Sequence, residues 1–284
     1  MYQIIKKVRL NPTVTMMEIH APYVAVKAEP GQFIILRVNE EGERIPLTIA
    51  GYDRINGTVR IIFQIVGATT LLLNEKNEGE YIQDFAGPLG VPTRTEGLKK
   101  VCITGGGVGC AIALPIAQKL SAQGCEVTSI IGFRSRDLLI LEDEFRRASK
   151  RLYVMTDDGS YGQKGNVCMP LNEMLSAGEC FDEIITIGPL IMMKFVTEAV
   201  RPMNIPCTAS MNPIMIDGTG MCGGCRLSLN QNGQKITKFA CVDGPDFNAY
   251  EIDFDEAISR NAMYKEFERH AYEANCNLLK KGKM

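Results

Sequence analysis

Residues 99–124 read KKVCITGGGVGCAIALPIAQKLSAQG. A short apolar run before the glycines has the length and composition of a buried strand, and the residues after them repeat at helical spacing up to Gly124. Between the two elements lies a turn, Gly105, Gly106, Gly107, Val108 and Gly109, preceded by Thr104. Glycine lets a backbone approach a pyrophosphate closely, and a helix N-terminus offers free N–H groups and a favourable dipole. As a dinucleotide fingerprint the turn is imperfect: Cys110 stands at the third glycine position. The following strand ends GFRSRD, with no acidic residue placed for ribose hydroxyls. A tight structural turn is the bland alternative.

Strand and helix patterns alternate from residue 97 to residue 212. Strands are expected at KKVCITGG, EVTSIIGFR, RLYVMTDDG, DEIITIG and IPCTASMN, with helices between them, one of them DLLILEDEFRRAS. Such alternation implies βαβ units and a parallel sheet covered on both faces. Ligands of these sheets bind beyond the carboxyl ends of the strands. Two further loops fall there, one with Asp157 in TDDGSYGQKGNV and one with Gly188 and Pro189 in IGPLIMMK.

Residues 1–96 are β-rich. Six short runs, from YQIIKKVRL to GEYIQDFAG, are separated by turn signals such as NP, EPG and ING and suggest a six-stranded antiparallel barrel. On it lie RIPLT, containing Arg44, Pro46, Leu47 and Thr48, and GATT, containing Gly67, Thr69 and Thr70 at the start of a short helix. Arginine forks onto phosphate, threonine hydroxyls bond ribityl or phosphate oxygens, and a helix start suits an anion. An exposed strand arginine is also commonly just solvated.

The segment 213–250 carries MIDGTGMCGGCRLSL and KFACVDGPDF. Asp217, Cys222, Cys225 and Cys241 have the plant-type 2Fe–2S spacing, with aspartate in the first ligand position. A zinc site is the competing reading, but zinc ribbons pair two C-x2-C knuckles and one is present here. Cys207 is the other candidate for the fourth ligand. The remaining cysteines, Cys102, Cys110, Cys125, Cys168, Cys180, Cys207 and Cys276, stand singly and read as small buried hydrophobes of a reducing cytosol. A polar helix is expected over 251–284, with Ile258, Phe267, Tyr272, Leu278 and Leu279 as possible anchors for a partner.

The chain has 284 residues, 45% hydrophobic and 23% charged, with net charge −2. That suffices for two domains and an appendage, and without a basic run it argues against nucleic acid as a partner. No apolar run approaches the roughly 20 residues that span a bilayer. With no signal-peptide pattern either, the expected location is the cytoplasm, away from membranes.

Together, the R-x-P-L-T barrel, the glycine turn with its late GP loop and the cysteine segment resemble the ferredoxin-reductase superfamily. The chain is most similar to the branch containing the electron-transfer subunits of B-type dihydroorotate dehydrogenases. Within that branch, DGTGMCGGCR and FACVDGPDF resemble the small subunits of NADH-dependent ferredoxin:NADP oxidoreductases, also called sulfide dehydrogenase beta subunits. The resemblance implies FAD on Arg44, Pro46, Leu47, Thr48, Gly67, Thr69 and Thr70. It implies NAD(H) on Thr104–Gly109, Asp157, Gly188 and Pro189, and a 2Fe–2S cluster on Cys222, Cys225, Cys241 and a fourth ligand. Hydride would pass between NAD(H) and FAD with no acid or base residue, and single electrons would go on to a larger redox subunit and ferredoxin. An orotate-branch subunit usually has cysteine where Asp217 stands. A zinc-stabilised regulatory module is the alternative of another class, separated by the visible spectrum.

Overall fold

The computed structural model describes residues 1–263 and His270. Phe267, Tyr272, Leu278 and Leu279, expected as anchors, and Cys276 lie outside the described residues.

The N-terminal part comprises β1 (Tyr2–Arg9), β2 (Val14–His20), α1 (Pro22–Ala25), β3 (Phe33–Arg37), β4 (Arg44–Asp53), β5 (Thr58–Gln64), α2 (Ala68–Glu75), β6 (Tyr81–Ile82) and β7 (Asp84–Leu89). Its strands form one antiparallel sheet in the order β6-β1-β2-β5-β4-β3-β7. The two edge strands are consecutive pieces of chain with Gln83 between them, so the sheet curls round on itself. Seven strands therefore replace the six expected from sequence. The run GEYIQDFAG breaks because its first part pairs with β1 and its second with β3. At the break, the Gln83 N–H donates to the Arg37 carbonyl at 3.1 Å.

β3 shows why its sequence is apolar without alternation. Ile34 and Leu36 join the core inside the curl, whereas Phe33 and Ile35 join a second core shared with the rest of the chain. Both faces are buried, as successive side chains point to opposite sides.

The second layer follows with β8 (Lys100–Gly106), α3 (Cys110–Ala122), β9 (Glu126–Phe133), α4 (Glu142–Ala148), β10 (Arg151–Thr156), β11 (Gln163–Lys164), α5 (Cys168–Ser176), β12 (Glu183–Ile187), α6 (Leu190–Val200) and β13 (Cys207–Ser210). The helix expected over DLLILEDEFRRAS is broken. A 3-10 turn covers Arg136–Leu138, and α4 begins only after Leu141, which has φ 62°. Ile140 is buried, and Leu139 and Leu141 pack on the same core, so the apolar residues serve as a spread contact rather than one helical stripe.

The third part holds β14 (Arg226–Gln231), β15 (Gln234–Phe239), α7 (Ala240–Asp243), β16 (Asp246–Asn248) and α8 (Phe254–Ala262). The main sheet runs β11-β10-β9-β8-β12-β13-β16. All its pairings are parallel except that of β16, which lies antiparallel to β13. The sheet expected to be parallel is thus mixed, and its last strand comes from the cysteine-bearing segment. Hairpin β14–β15 was not anticipated, although its signal is present: Asn232 and Gly233, at φ 51° and 77°, form the two-residue turn that matches strand twist. No helix among the described residues is long and apolar enough to cross a membrane.

Candidate functional site

Strand order places a topological switch between β8 and β12. From β8 the chain moves outward through β9 and β10, and it returns to build β12 and β13 on the other side. The crevice beyond the strand ends at such a reversal is where α/β sheets take ligands. Two of the three loops expected to bind a nucleotide, the glycine turn and the Gly188–Pro189 loop, meet there. A β-carbon on Gly109 would stand 2.6 Å from the Ile187 carbonyl oxygen and 2.9 Å from Gly188 Cα. One on Gly106 would meet Pro189 Cδ at 2.9 Å. These glycines allow the two backbones to touch. Gly107 differs: it has φ +55°, and a β-carbon there would meet nothing within 4 Å. Thr104 and its register partner Thr186 lie fully buried in the adjacent strands, and neither hydroxyl has a hydrogen-bond partner among the described residues. Thr186 carried no signal in the sequence.

Asp157 sits exposed just past β10, its N–H bonded to the Phe133 carbonyl at 3.0 Å. At the tip of β9, Ser135 donates to Asp137, and the Arg136 N–H donates to Ser160 Oγ at 2.8 Å. Arg136 lies over the Tyr161 ring. An acidic residue is therefore at the β9 tip after all, four positions beyond the strand.

The barrel side of the crevice is formed by a split between strands. β4 pairs with β5 from Ile49 to Asp53, but Arg44–Thr48 pair with β3 only. Residues 62–64 of β5 stay on β2, and β5 packs against the Gly107–Gly109 turn. One edge of the Arg44–Thr48 strand is thereby left unpaired. Pro46, Leu47 and Thr48 are half-buried there, and Arg44 is exposed. Among the described residues, the Arg44 guanidinium has neither an ion pair nor a hydrogen bond.

Thr69 Oγ1 reaches Glu43 Oε2 at 3.3 Å, which fastens the start of α2 beside the start of β4. Thr70 Oγ1 receives the N–H groups of Val66 and Gly67, both at 3.0 Å, and donates to the Gly67 carbonyl. Its hydroxyl shapes the turn. Gly67 has open space where a side chain would stand. A free guanidinium, a helix start without a side chain and an open strand edge fit an anionic, planar cofactor such as FAD. The open cradle at Gly107 fits a pyrophosphate.

The cysteine segment sorts into pairs. Asp217 accepts N–H groups from Thr219 at 2.9 Å and Cys222 at 3.1 Å, and the Cys222 thiol adds a side-chain bond. The Thr219 N–H foremost, with Cys222, holds the Asp217 carboxyl below its usual range. Cys225 and Cys241 form the other pair, both buried and side by side. Burial pushes the Cys241 thiol up to about 12, helped by neighbouring Cys225. Backbone N–H groups point at sulfur in both pairs, Gly224 toward Cys222 at 3.5 Å and Gly220 toward Cys241. No group of three or more His, Cys, Asp or Glu among the described residues is arranged around one point. The donors fit a binuclear iron–sulfur group, in which each iron takes two protein ligands, better than one zinc ion at the centre of four.

Cys207 lies elsewhere. It is buried in β13 with its thiol bonded to Thr197, and its charged and thiol neighbours are Glu183, Arg201 and Cys102. Of the other single cysteines, Cys102, Cys110 and Cys125 are buried as expected and Cys168 is partly so, but Cys180 is exposed.

Residues 212–253 match the family model for the iron–sulfur cluster binding domain of dihydroorotate dehydrogenase B. A dihydroorotate dehydrogenase B (NAD+) electron transfer subunit homolog from Thermotoga maritima is 45% identical, with 95% of this chain and 94% of that protein covered. The corresponding subunit from Streptococcus pneumoniae is 32% identical, over 76% of this chain and 86% of its own. Among solved structures, that of an NADH-dependent reduced ferredoxin–NADP oxidoreductase, described for flavin-based electron bifurcation, superposes with TM-score 0.89 at 43% identity, covering 96% of this chain and 97% of its own. This chain belongs to the dihydroorotate dehydrogenase B electron-transfer-subunit branch of the ferredoxin-reductase superfamily, and is a flavin and iron–sulfur oxidoreductase subunit.

Proposed function

We propose that this subunit accepts hydride from NADH onto FAD and delivers single electrons through a 2Fe–2S cluster to a larger redox subunit, within a cytoplasmic NADH-dependent ferredoxin:NADP oxidoreductase. The observation that carries the reading is the placement of the β4–β5 split against the Gly107–Gly109 turn. A flavin on the barrel and a nicotinamide at the switch point would then meet face to face. The units are 1–96 for FAD, 97–212 for NAD(H) and 213–250 for the cluster; of the helix expected over 251–284, the structure describes Phe254–Ala262, and residues 264–269 and 271–284 lie outside the described residues. The first is the curled seven-stranded sheet.

When bound, FAD supplies the hydride acceptor and the cluster supplies one-electron transfer. The chain supplies positioning. Arg44 and the N–H groups of Ala68 and Thr69 would face the flavin phosphates, and Pro46, Leu47 and Thr48 would line its ring along the open strand edge. Thr104, Gly105, Gly106, Gly107, Val108 and Gly109 receive the nucleotide pyrophosphate. Gly188 and Pro189 close over the nicotinamide, and Asp157 borders the adenosine side. Asp217 with Cys222, and Cys225 with Cys241, would hold the cluster. No side chain need act as acid or base, and the two histidines, His20 and His270, lie outside these loops.

Anaerobic purification from the native source tests the reading. Flavin bands with a broad cluster shoulder, bleaching by NADH and co-purification with a larger flavin or iron–sulfur subunit are expected. A colourless protein, or one that runs alone and reduces ferredoxin unaided, would count against it. A second reading, the electron-transfer subunit of a B-type dihydroorotate dehydrogenase, is favoured by the family match over 212–253. Co-purification with a dihydroorotate-oxidising subunit would select it.

A further inference from the structure

The cysteine loop is fastened to the barrel at a contact that leaves no room for a side chain. Gly218, next to Asp217, is buried with φ +73°, and a β-carbon on it would stand 2.7 Å from Leu89 Cδ1 and 3.2 Å from Ile35 Cγ1. Leu89 pairs with Phe33 on β3, and Phe33 pairs in turn with Thr48 on β4. Ile35 likewise faces Pro46. Strands lie about 4.8 Å apart, so β7 is only about 10 Å from the strand that carries Arg44–Thr48. The same turn grips the other arm of the cysteine segment, because the Val91 N–H donates to the Gly244 carbonyl at 2.6 Å. A β-carbon on Gly90 would lie 3.0 Å from that oxygen. Phe33, Ile35 and Leu89 share one packed core with Met215, Cys225 and Cys241.

We infer that the Gly218–Leu89 contact sets the separation between the flavin-binding strand and the cluster loop, which makes Gly218 and Leu89 positioning residues for flavin-to-cluster electron transfer. The inference rests on the cofactor reading above. With both groups bound, the step concerned would be transfer of one electron from flavin reduced by NADH to one ferric ion, which becomes ferrous; the flavin would release its one proton to solvent over the loss of its two electrons. Leu89 is the side chain lying between β7 and the loop, and glycine at 218 brings the loop backbone onto it. Loosening this contact frees the loop to move relative to β7 without touching a ligand of either group.

The test compares wild type, Leu89→Ala and Gly218→Ala as complete holoprotein, followed by anaerobic stopped flow at separate flavin and cluster wavelengths. Alanine at φ +73° is strained whatever the space, so Leu89→Ala carries the test. Leu89→Ala should keep its flavin, its iron, its cluster potential and its rate of flavin bleaching by NADH. Cluster reduction should slow measurably relative to wild type. Hydrogen exchange at residues 217–225 should quicken in parallel. Unchanged cluster reduction and unchanged exchange in Leu89→Ala would overturn the inference while leaving the cofactor reading intact. Wild type isolated without flavin or cluster would overturn both.

Discussion

The Asp217 carboxylate accepts the backbone N–H of Cys222 at 3.1 Å, so the two residues proposed as first and second ligands are bonded to each other through the loop itself. The two N–H groups bond to different oxygens, and the Cys222 thiol proton that also bonds the carboxylate is lost when that sulfur takes a metal. Asp217 can therefore shape the loop and still serve as a ligand. Asp217→Asn preserves size and one acceptor but loses the charge, and should yield a labile cluster. Asp217→Cys should retain the cluster with altered EPR g-values and a higher potential, since a softer donor replaces one that favours ferric iron. Cys207→Ala should change neither. EPR and redox titration of the three variants check this, and cluster loss in Cys207→Ala would reverse the assignment.

Arg44 has no partner of its own on the barrel, so its removal should cost the fold little. Losing a charge-assisted phosphate contact costs about 1.5–3 kcal/mol, or roughly tenfold to a hundredfold in affinity. Arg44→Ala should be isolated with much less FAD while its iron content and melting temperature stay near wild type. Flavin-binding titration of the apoprotein measures it directly.

Gly109→Ala tests the meeting of the two nucleotide loops. Its β-carbon would enter backbone atoms of Ile187 and Gly188, which cannot rotate aside as a flexible side chain can. Overpacking of this kind costs about 1–3 kcal/mol. The variant should melt earlier and lose bleaching by NADH, while keeping its flavin and cluster spectra.

Nucleotide choice should favour NADH over NADPH. At the β9 tip the Ser135 hydroxyl proton goes to Asp137, and the Ser160 hydroxyl donates to Asp158. Carboxylates thus occupy the donors that a 2′-phosphate would need, although Arg134 and Arg136 are close by. Rates of flavin reduction by the two nucleotides in stopped flow decide the matter, and a clear preference for NADPH would reverse it.

Far from the site, at the opposite ends of the strands, Glu179 receives both terminal nitrogens of Arg151, at 2.7 and 2.6 Å, and Lys100 at 3.1 Å. Arg151 above all, then Lys100, holds the Glu179 carboxyl at about 2, against an ordinary 4.5. A depressed carboxylate stabilises above its unfolded value, and that stability disappears as pH falls through the folded one. Glu179→Gln should therefore lower the melting temperature at pH 7 by an amount reflecting about 1 kcal/mol, since the pair is partly solvated. The gap to wild type should narrow between pH 4.5 and pH 2 and be smaller in high salt. Thermal melts across that range give the sign.

The sequence by itself determined the features that are local along the chain. Glycines at 105–109 and 188 announced close backbone approach, alternation of strands and helices announced the layered sheet, and the spacing of Asp217, Cys222, Cys225 and Cys241 marked the loop in which they lie in two pairs. The Asn232–Gly233 turn was equally legible and simply passed over. Tertiary structure alone decided which of these local pieces meet. Closure of the curled sheet forces the run after Gly79 to serve two edges, so it breaks at Gln83 into β6 and β7. Strand order brings Gly109 against Gly188, and β16 crosses from the cysteine segment into the main sheet. The seating of Gly218 on Leu89 has no trace in either stretch of sequence. Periodicity and turn chemistry act over a few residues, whereas these contacts depend on how whole sheets close and pack, which only the folded chain specifies.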